Sequence, residues 1–274
     1  MTKLSAIVTT FNNGHTLAAC LESLRWASEI VVLDSFSHDE TLSIAERYGA
    51  RIHQHEFLGY SRQKQMALDM ASHDWVLLLD ADEALSPALQ EEIRQLLARP
   101  APDADGYKLL RQEQSFWKMC DPRVRGNYYL RLFDRRKGRM NAIPVHAAPE
   151  TQGRVARLGA PFYHYGETSI HIKVDKINAY STGLVADKLA RGRRGNPLIM
   201  LVYPPFAFVR SYIFKRNFLN GWAGLINSVV IAFYVFLKYA KLYEHHQFEK
   251  YGDRLLPEGA PPLPRNTATS GDRS

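Results

Sequence analysis

The first hundred residues alternate between short strand-like segments, most of them apolar, and stretches with helical spacing. The strand-like runs are residues 4–10, 29–33, 51–55 and 75–79, and helix-like stretches or polar turns separate them. Strands that alternate with helices need crossover connections, which produce a parallel sheet with helices packed on its faces. The pattern therefore predicts an α/β, doubly wound domain of the nucleotide-binding type.

Acidic side chains follow the fourth of these runs directly. Its three leucines give way to the sequence Asp80-Ala81-Asp82-Glu83. In open α/β sheets the carboxyl ends of the strands form the ligand crevice, so these acids are expected at a binding edge. Side chains alternate along a strand, so Asp80 and Asp82 can share a face and offer oxygens to Mg²⁺ or Mn²⁺. The alternative is an acidic turn before a helix that begins near Pro87.

Polar side chains also follow the first two strands and open the third helix. Thr9-Thr10-Phe11-Asn12 ends strand 1, residues 34–41 (DSFSHDET) follow strand 2, and Arg62 and Lys64 lie in the predicted helix 59–71. Because the ends of parallel strands meet at one edge, these segments and the acids are predicted to line one site.

In this order and spacing, the four segments resemble the signatures of the inverting family-2 glycosyltransferases. Residues 31–41 are similar to the family's Val-Asp-x-x-Ser-x-Asp-x-Thr signature, and residues 59–68 (GYSRQKQMAL) resemble its Gly-rich helix start. Residues 78–83 match its Asp-x-Asp motif. The resemblance implies a GT-A (Rossmann-like) domain over residues 1–165, with a nucleotide-sugar half at 1–100 and an antiparallel acceptor half at 101–165.

The resemblance also implies roles for individual residues. Thr9, Phe11 and Asp34 are expected to contact the base and ribose of the donor. Lys64 or Arg62 is expected to face the diphosphate, where a cation offsets the charge of the leaving group. The implied donor-binding set is Thr9, Phe11, Asn12, Asp34, Asp39, Arg62, Lys64 and Asp80. The alternatives are that Asp34 and Asp39 only cap the next helix and that Lys64 is a solvated charge.

Metal binding and general base catalysis complete the implied site. Asp82, with Asp80 nearby, is expected to hold Mg²⁺ or Mn²⁺ as a Lewis acid on the departing nucleotide. An inverting transfer also needs a base for the acceptor hydroxyl, which relatives often place after a His in a Val-His-Glu segment. Residues 145–147 here read Val-His-Ala, so Glu150 is the predicted base, with His146 and Glu83 as alternatives. Glu150 as a surface turn residue and His146 as a packed histidine are the structural alternatives.

Segments farther along the chain narrow the resemblance. Residues 129–133 (YLRLF), 158–165 (LGAPFYHY) and 218–224 (FLNGWAG) resemble the subgroup that includes lipopolysaccharide core β-1,4-glucosyltransferases, although Asn220 stands where Asp is commoner. The resemblance implies transfer of a hexose, with glucose from UDP-glucose suggested, to a lipopolysaccharide core or another lipid-linked glycan. Transfer to a polyprenyl phosphate and nucleotide-sugar binding without catalysis are the alternatives.

Positive charge and apolar segments are concentrated in the second half of the chain. Residues 1–150 hold 18 Lys and Arg against 20 Asp and Glu, whereas residues 151–274 hold 17 against 8. Residues 198–209, interrupted by two prolines, are too short to span a membrane, but residues 217–237 are uncharged over a spanning length. Cations beside apolar segments favour an anionic membrane surface over nucleic acid.

These features predict the organisation of the remaining chain and its location. Residues 166–256 are predicted to be a basic, helical, membrane-associating region, and residues 257–274 a disordered tail. No secretory segment precedes strand 1, and the two cysteines show no metal spacing. The protein is therefore expected at the cytoplasmic face of the inner membrane, peripheral or monotopic, with a single span or a buried helical subdomain as alternatives.

Overall fold

The computed structural model describes residues 2–141, 147–166, 168–252 and 258–261. The chain forms two units. The first unit consists of Met1–Ile170 together with Lys215–Gly224, and the second of His171–Phe214 with Leu225–Ser274. The predicted disordered tail at 257–274 lies outside the described residues, apart from 258–261.

The first unit is built around one mixed sheet. Its strand order is β3-β2-β1-β4-β8-β6-β11-β5, with β7 paired to β6, while β9 and β10 form a separate pair. In chain order its elements are β1 (Leu4–Thr10), α1 (Leu17–Glu22), β2 (Glu29–Asp34), α2 (Thr41–Arg47), β3 (Arg51–Gln54), α3 (Tyr60–Asp69), β4 (Trp75–Asp80), β5 (Glu83–Leu85), α4 (Pro87–Ala98), β6 (Gly106–Ser115), β7 (Lys118–Met119), β8 (Asn127–Asp134), β9 (Gly138–Met140), β10 (Pro149–Thr151) and β11 (Val155–His164).

The four strands predicted from the first hundred residues are confirmed as β1 to β4. They pair in parallel, in the order β3-β2-β1-β4, and helices connect them. The α/β fold class is therefore confirmed. The strands β8 and β6 then extend the sheet in antiparallel fashion from β4.

The apolar run in β4 has no polar alternation because both faces of the strand are buried. Leu77 and Leu79 pack in a core cluster with residues of α1, α2 and α4, whereas Val76 and Leu78 pack in a second cluster with residues of α3. A central parallel strand covered by helices on both sides reads as a continuous apolar segment. This burial fixes the position of the residues at the end of β4.

The strand that was predicted to carry both aspartates ends before Asp82. Asp80 is the last residue of β4, and Asp82 lies in the two-residue turn before β5. The chain reverses there because β5 pairs antiparallel with β11 at the far edge of the sheet. The prediction that both carboxylates share one strand face is therefore wrong, and each has its own partners.

Three helices follow the sheet: α5 (Ile170–Ala190), α6 (Pro197–Val209) and α7 (Trp222–Tyr251). A π-helical turn, Arg210–Phe214, extends α6, so that Pro197–Phe214 forms a continuous helix of 18 residues despite its internal prolines. Within the described residues, this helix and α7 are long and apolar enough to cross a membrane, by length and composition alone.

The apolar segment predicted at 217–237 is divided in the structure. Asn217–Asn220 forms a 3₁₀ turn that belongs to the first unit, and α7 begins only at Trp222. Asn220 is buried and its Oδ1 accepts a hydrogen bond from the amide of Asp121 at 2.7 Å. Gly221 between turn and helix has φ of +61°. Asn217 and Asn220 therefore do not lie in the long helix.

Candidate active site

The ends of β1, β2 and β4 lie side by side at one edge of the sheet. Thr10 is paired with Asp34 of β2, and Thr9 is paired with Asp80 of β4. Phe11 follows β1, and its side chain is 53% exposed. The register of three parallel strands thus gathers the predicted donor-binding residues around the end of β1.

The loop after β2 folds around the carboxylate of Asp34. This side chain is fully buried, and its Oδ2 accepts hydrogen bonds from the Ser37 amide at 2.8 Å and from Gln54 Nε2 at 3.0 Å. The Ser37 hydroxyl also binds Asp34 and accepts from the amide of Asn12 at 2.8 Å. Asp34 therefore holds the loops after β1 and β2 together.

Asp39 makes a second connection between these loops. Its Oδ2 accepts from the amide of Gly14 at 2.9 Å, and its Oδ1 accepts from the amide of Thr41, the first residue of α2, at 3.0 Å. Burial opposes the charge of Asp39, but the hydrogen bonds from Thr41 and Gly14 hold its pKa below the ordinary value. The contact with Thr41 is the helix-capping contact of the structural alternative, and the contact with Gly14 is additional.

The carboxylate of Asp80 lies between two cations. Lys64 Nζ is 2.5 Å from its Oδ1, and Arg131 Nη2 of β8 is 3.2 Å from its Oδ2. Arg131 Nη2 is also 2.5 Å from Oε1 of the fully buried Glu83, whose Oε2 accepts from the Asp80 amide at 3.0 Å. Lys64 is only 8% exposed, so it is not a solvated helix charge.

Further pairs of opposite charge follow across the antiparallel part of the sheet. Arg111 Nη1 lies 4.0 Å from Glu83 Oε1, and Arg111 Nη2 lies 2.7 Å from Glu113 Oε1. His164 Nδ1 is 2.6 Å from Glu113 Oε2, and its Nε2 is 3.3 Å from Asp82 Oδ2. Alternating charges thus connect both aspartates in one charged network, which consists of Lys64, Asp80, Arg131, Glu83, Arg111, Glu113, His164 and Asp82.

The network determines which of its members are charged. Burial disfavours the charge of Asp80, but Lys64 and Arg131 hold its pKa well below the usual range. Burial raises the pKa of Glu83 even though Arg131 lies beside it. Burial also opposes protonation of His164, but its bonds to Asp82 and Glu113 raise its pKa to about 9.

Asp82 and His164 offer two ligand atoms that are close enough to share one divalent ion. Their side chains are 30% and 20% exposed, so both can be reached from solvent. Glu113 contacts the other ring nitrogen of His164, and a carboxylate in this position commonly orients a histidine that binds metal. No group of three or more His, Cys, Asp or Glu among the described residues could hold a metal ion. One carboxylate oxygen and one imidazole nitrogen are ligands that Mn²⁺ or Mg²⁺ could accept together with water and phosphate oxygens.

Three of the predicted site residues have no described contact with the charged network. Arg62 is exposed in the first turn of α3. Glu150 is exposed in β10 and is paired with Arg139 of β9. Gly138 of the same hairpin lies beside Phe133, and Phe133 pairs with Val76 near the start of β4. The structure does not bring Glu150 to the end of β4, and its role as base stays a prediction. His146 lies outside the described residues.

Sequence reasoning gave no role to Arg131, Glu113 and His164. Arg131 and His164 stand in the segments YLRLF and LGAPFYHY, which carried the resemblance without a chemical assignment. Both belong to strands that are distant in sequence from the Asp-x-Asp motif. Only the pairing of β8 with β4, and of β11 with β5 and β6, brings them to it.

Comparison with known proteins shows the family. The profile of glycosyl transferase family 2 matches residues 5–149. An uncharacterized glycosyltransferase of Rickettsia felis is 31% identical over 259 residues, covering 89% of this chain and 90% of the relative. The chain therefore belongs to glycosyl transferase family 2, as its motifs implied.

Two further similarities accompany this assignment. The lipopolysaccharide core biosynthesis glycosyltransferase LpsC of Rhizobium meliloti is 32% identical, over 89% of this chain and 93% of that protein. Residues 1–349 of S. aureus TarS, solved with UDP, are 16% identical over 88% of this chain and 92% of that one, with a TM-score of 0.46. That TM-score is too low to support an argument.

Gly166 is required by the position of the His164 ring. A Cβ at residue 166 would lie 2.5 Å from His164 Cε1 and 2.7 Å from Nε2. We expect Gly166→Ala to displace the imidazole from Asp82 and lower kcat about tenfold to a hundredfold, the range found when groups that orient site residues are lost. Gly183→Ala is the matched control, because nothing lies within 4 Å of its added Cβ. Equal rates for the two variants would show that the ring position is unimportant.

Proposed function

We propose that this protein transfers a hexose from a nucleotide-diphospho-sugar, with a UDP-sugar favoured, to a lipopolysaccharide core or another lipid-linked glycan. The observation that carries the donor part is the pairing of Thr9 with Asp80 and of Thr10 with Asp34, which makes one binding edge. The acceptor part is supported by the 32% identity to LpsC, which is named for lipopolysaccharide core biosynthesis.

The nucleoside lies, in this proposal, against the end of β1. Phe11 offers an exposed ring for packing on the base, and Thr9 offers a hydroxyl beside it. Asp34 already accepts hydrogen bonds from Ser37 and Gln54 and is fully buried, so it acts mainly by holding the loop. Asn12, whose Oδ1 accepts from the amide of His38, supports the same loop.

The diphosphate lies beyond Asp80, toward Asp82. Asp82 and His164 would hold Mn²⁺ or Mg²⁺, and the bound ion would act as a Lewis acid on the departing nucleotide diphosphate. His164 has to lose the proton from Nε2 before that nitrogen can bind metal. Two cations were predicted to face the diphosphate. Lys64 is paired with Asp80, so the exposed Arg62 is the one of these two that is proposed to approach the phosphates.

The predicted base can be tested separately. Because Glu150 lies in a hairpin whose Gly138 packs beside Phe133, which pairs with Val76 rather than with Asp80, we expect Glu150→Gln to keep kcat within about threefold of the unaltered enzyme. Loss of a general base costs about 10²- to 10⁴-fold. Measurement of kcat at saturating acceptor distinguishes the two. A loss in the larger range would assign the base to Glu150.

We further propose that the second unit holds the protein at the cytoplasmic face of the membrane, as a peripheral or monotopic protein. In α6, Leu198, Leu201 and Phe206 are 69%, 71% and 60% exposed, an arrangement that water disfavours. Basic side chains between α5 and α6 complement anionic head groups, namely Arg191, Arg193 and Arg194.

Calorimetric titration with UDP-, GDP- and ADP-sugars, with and without Mn²⁺, tests the donor assignment. We expect one nucleotide to bind, more tightly with the metal, and to yield an extended core oligosaccharide when acceptor is added. A sugar linked to a lipid phosphate would favour the polyprenyl phosphate alternative. Donor binding without hydrolysis or transfer would favour a binding protein, and failure to bind any donor would contradict the proposal.

A further inference from the structure

Two separate segments of the first unit expose large aromatic side chains. Trp117, between β6 and β7, is 63% exposed, and Phe218 and Trp222, in and after the 3₁₀ turn, are 46% and 75% exposed. Isolated apolar side chains are normal at a protein surface, but a contiguous group of them marks a contact site. Whether these residues form one surface depends on how the segments are joined.

Two hydrogen bonds join these segments. The amide of Asp121 donates to Asn220 Oδ1 at 2.7 Å, and the amide of Arg125 donates to the carbonyl of Lys215 at 3.1 Å. Close packing holds the 3₁₀ turn against the start of α7, since a Cβ on Gly224 would lie 1.8 Å from the carbonyl oxygen of Asn217. Residues 115–127 and 215–224 therefore present one continuous surface, the aromatic–basic patch.

The charge of this patch is strongly positive. The two segments contain five basic residues and one acid, Asp121, which is paired with Arg123 at 2.8 Å. The cations of the patch are Lys118, Arg123, Arg125, Lys215 and Arg216. Tryptophan rings flanked by Lys and Arg are the arrangement that anchors proteins at the interface between head groups and acyl chains.

We propose that the aromatic–basic patch docks on an anionic lipid bilayer, with Trp117 and Trp222 at the level of the head groups. Charge complementarity selects this occupant, because a bilayer of anionic lipids attracts each basic residue near its surface. The patch belongs to the first unit, so this contact is additional to the helices of the second unit. It brings the catalytic unit itself to the membrane that carries a lipid-linked acceptor.

Tryptophan quenching in the full-length protein tests the contact residue by residue. Trp117→Phe and Trp222→Phe each leave a single exposed tryptophan, because Trp75 is buried and Trp26 packs against the core. On vesicles of phosphatidylglycerol and phosphatidylethanolamine with brominated chains, the Trp222→Phe variant is expected to lose about one third of its emission through Trp117. The double Phe variant should lose none. Bound protein whose Trp117 stays unquenched would overturn the proposal.

A charge-reversal pair provides a second measurement. Lys118→Glu combined with Arg125→Glu is expected to weaken cosedimentation with the same anionic vesicles by about tenfold or more. The matched control is Lys3→Glu combined with Arg99→Glu. Lys3 is exposed just before β1, and Arg99 is exposed just after the end of α4. Equal losses for the two pairs, or no binding to vesicles by the unaltered protein, would refute a bilayer contact at the patch.

Discussion

Asp82→Asn is expected to lower kcat by about 10²- to 10³-fold, the range in which loss of a group that stabilises transition-state charge falls. The amide keeps the size of the carboxylate but removes the charge that faces His164 at 3.3 Å. Because Asp82 is partly exposed in a turn, the free energy of unfolding should change by less than about 1 kcal/mol. The measurements are kcat under saturating Mn²⁺ and donor, and urea unfolding of the same samples.

Asp69→Asn is the matched control for this substitution. Asp69 is an exposed aspartate at the end of α3 whose Oδ1 accepts from Gln65 Nε2 at 2.8 Å. It should keep full activity, and it should leave unchanged the concentration of Mn²⁺ that gives half-maximal rate. Full activity of the Asp82→Asn protein would refute both the metal role of Asp82 and the proposed diphosphate position.

Arg131→Met is expected to lower the free energy of unfolding by about 3–5 kcal/mol, the cost of removing one partner from a buried ion pair. Arg131 is 6% exposed and is the near partner of Glu83, which is fully buried. Without it, Glu83 faces the charge of Asp80 with Arg111, at 4.0 Å, and the more distant Lys64 as the remaining cations of the network. The change is measured by urea denaturation, and kcat should fall as well because Asp80 loses a partner.

Two comparisons make this expectation specific. Arg25→Met removes an exposed pair with Glu22, at 3.6 Å, and should cost no more than about 0.5 kcal/mol. Glu83→Gln combined with Arg131→Met removes the unpaired charge, so it should recover part of the loss and show a coupling energy between the two sites. If Arg131→Met were as mild as Arg25→Met, the buried network would not be a stabilising element.

Much of the donor half could be predicted because its information is local in sequence. The strands β1, β2 and β4 are each predicted by an apolar run, and each ends in polar residues that the fold brings to one edge. The predictions failed where neighbours distant in sequence decide the structure. Asn217 and Asn220 looked like part of an apolar helix, yet contacts with the loop at Asp121 fold them into a separate turn.

The amino-acid sequence alone determined the family, the α/β class and the edge at which Asp80 and Asp82 are found, because the motifs, the buried strands and their alternation with helices are patterns within short segments. The tertiary structure alone decided which groups those two carboxylates face. Asp80 lies between Lys64 and Arg131, and Asp82 lies against His164, because antiparallel strands from the second hundred residues pair beside β4 and β5. Strand register between distant segments depends on packing of the whole sheet, which no local pattern encodes.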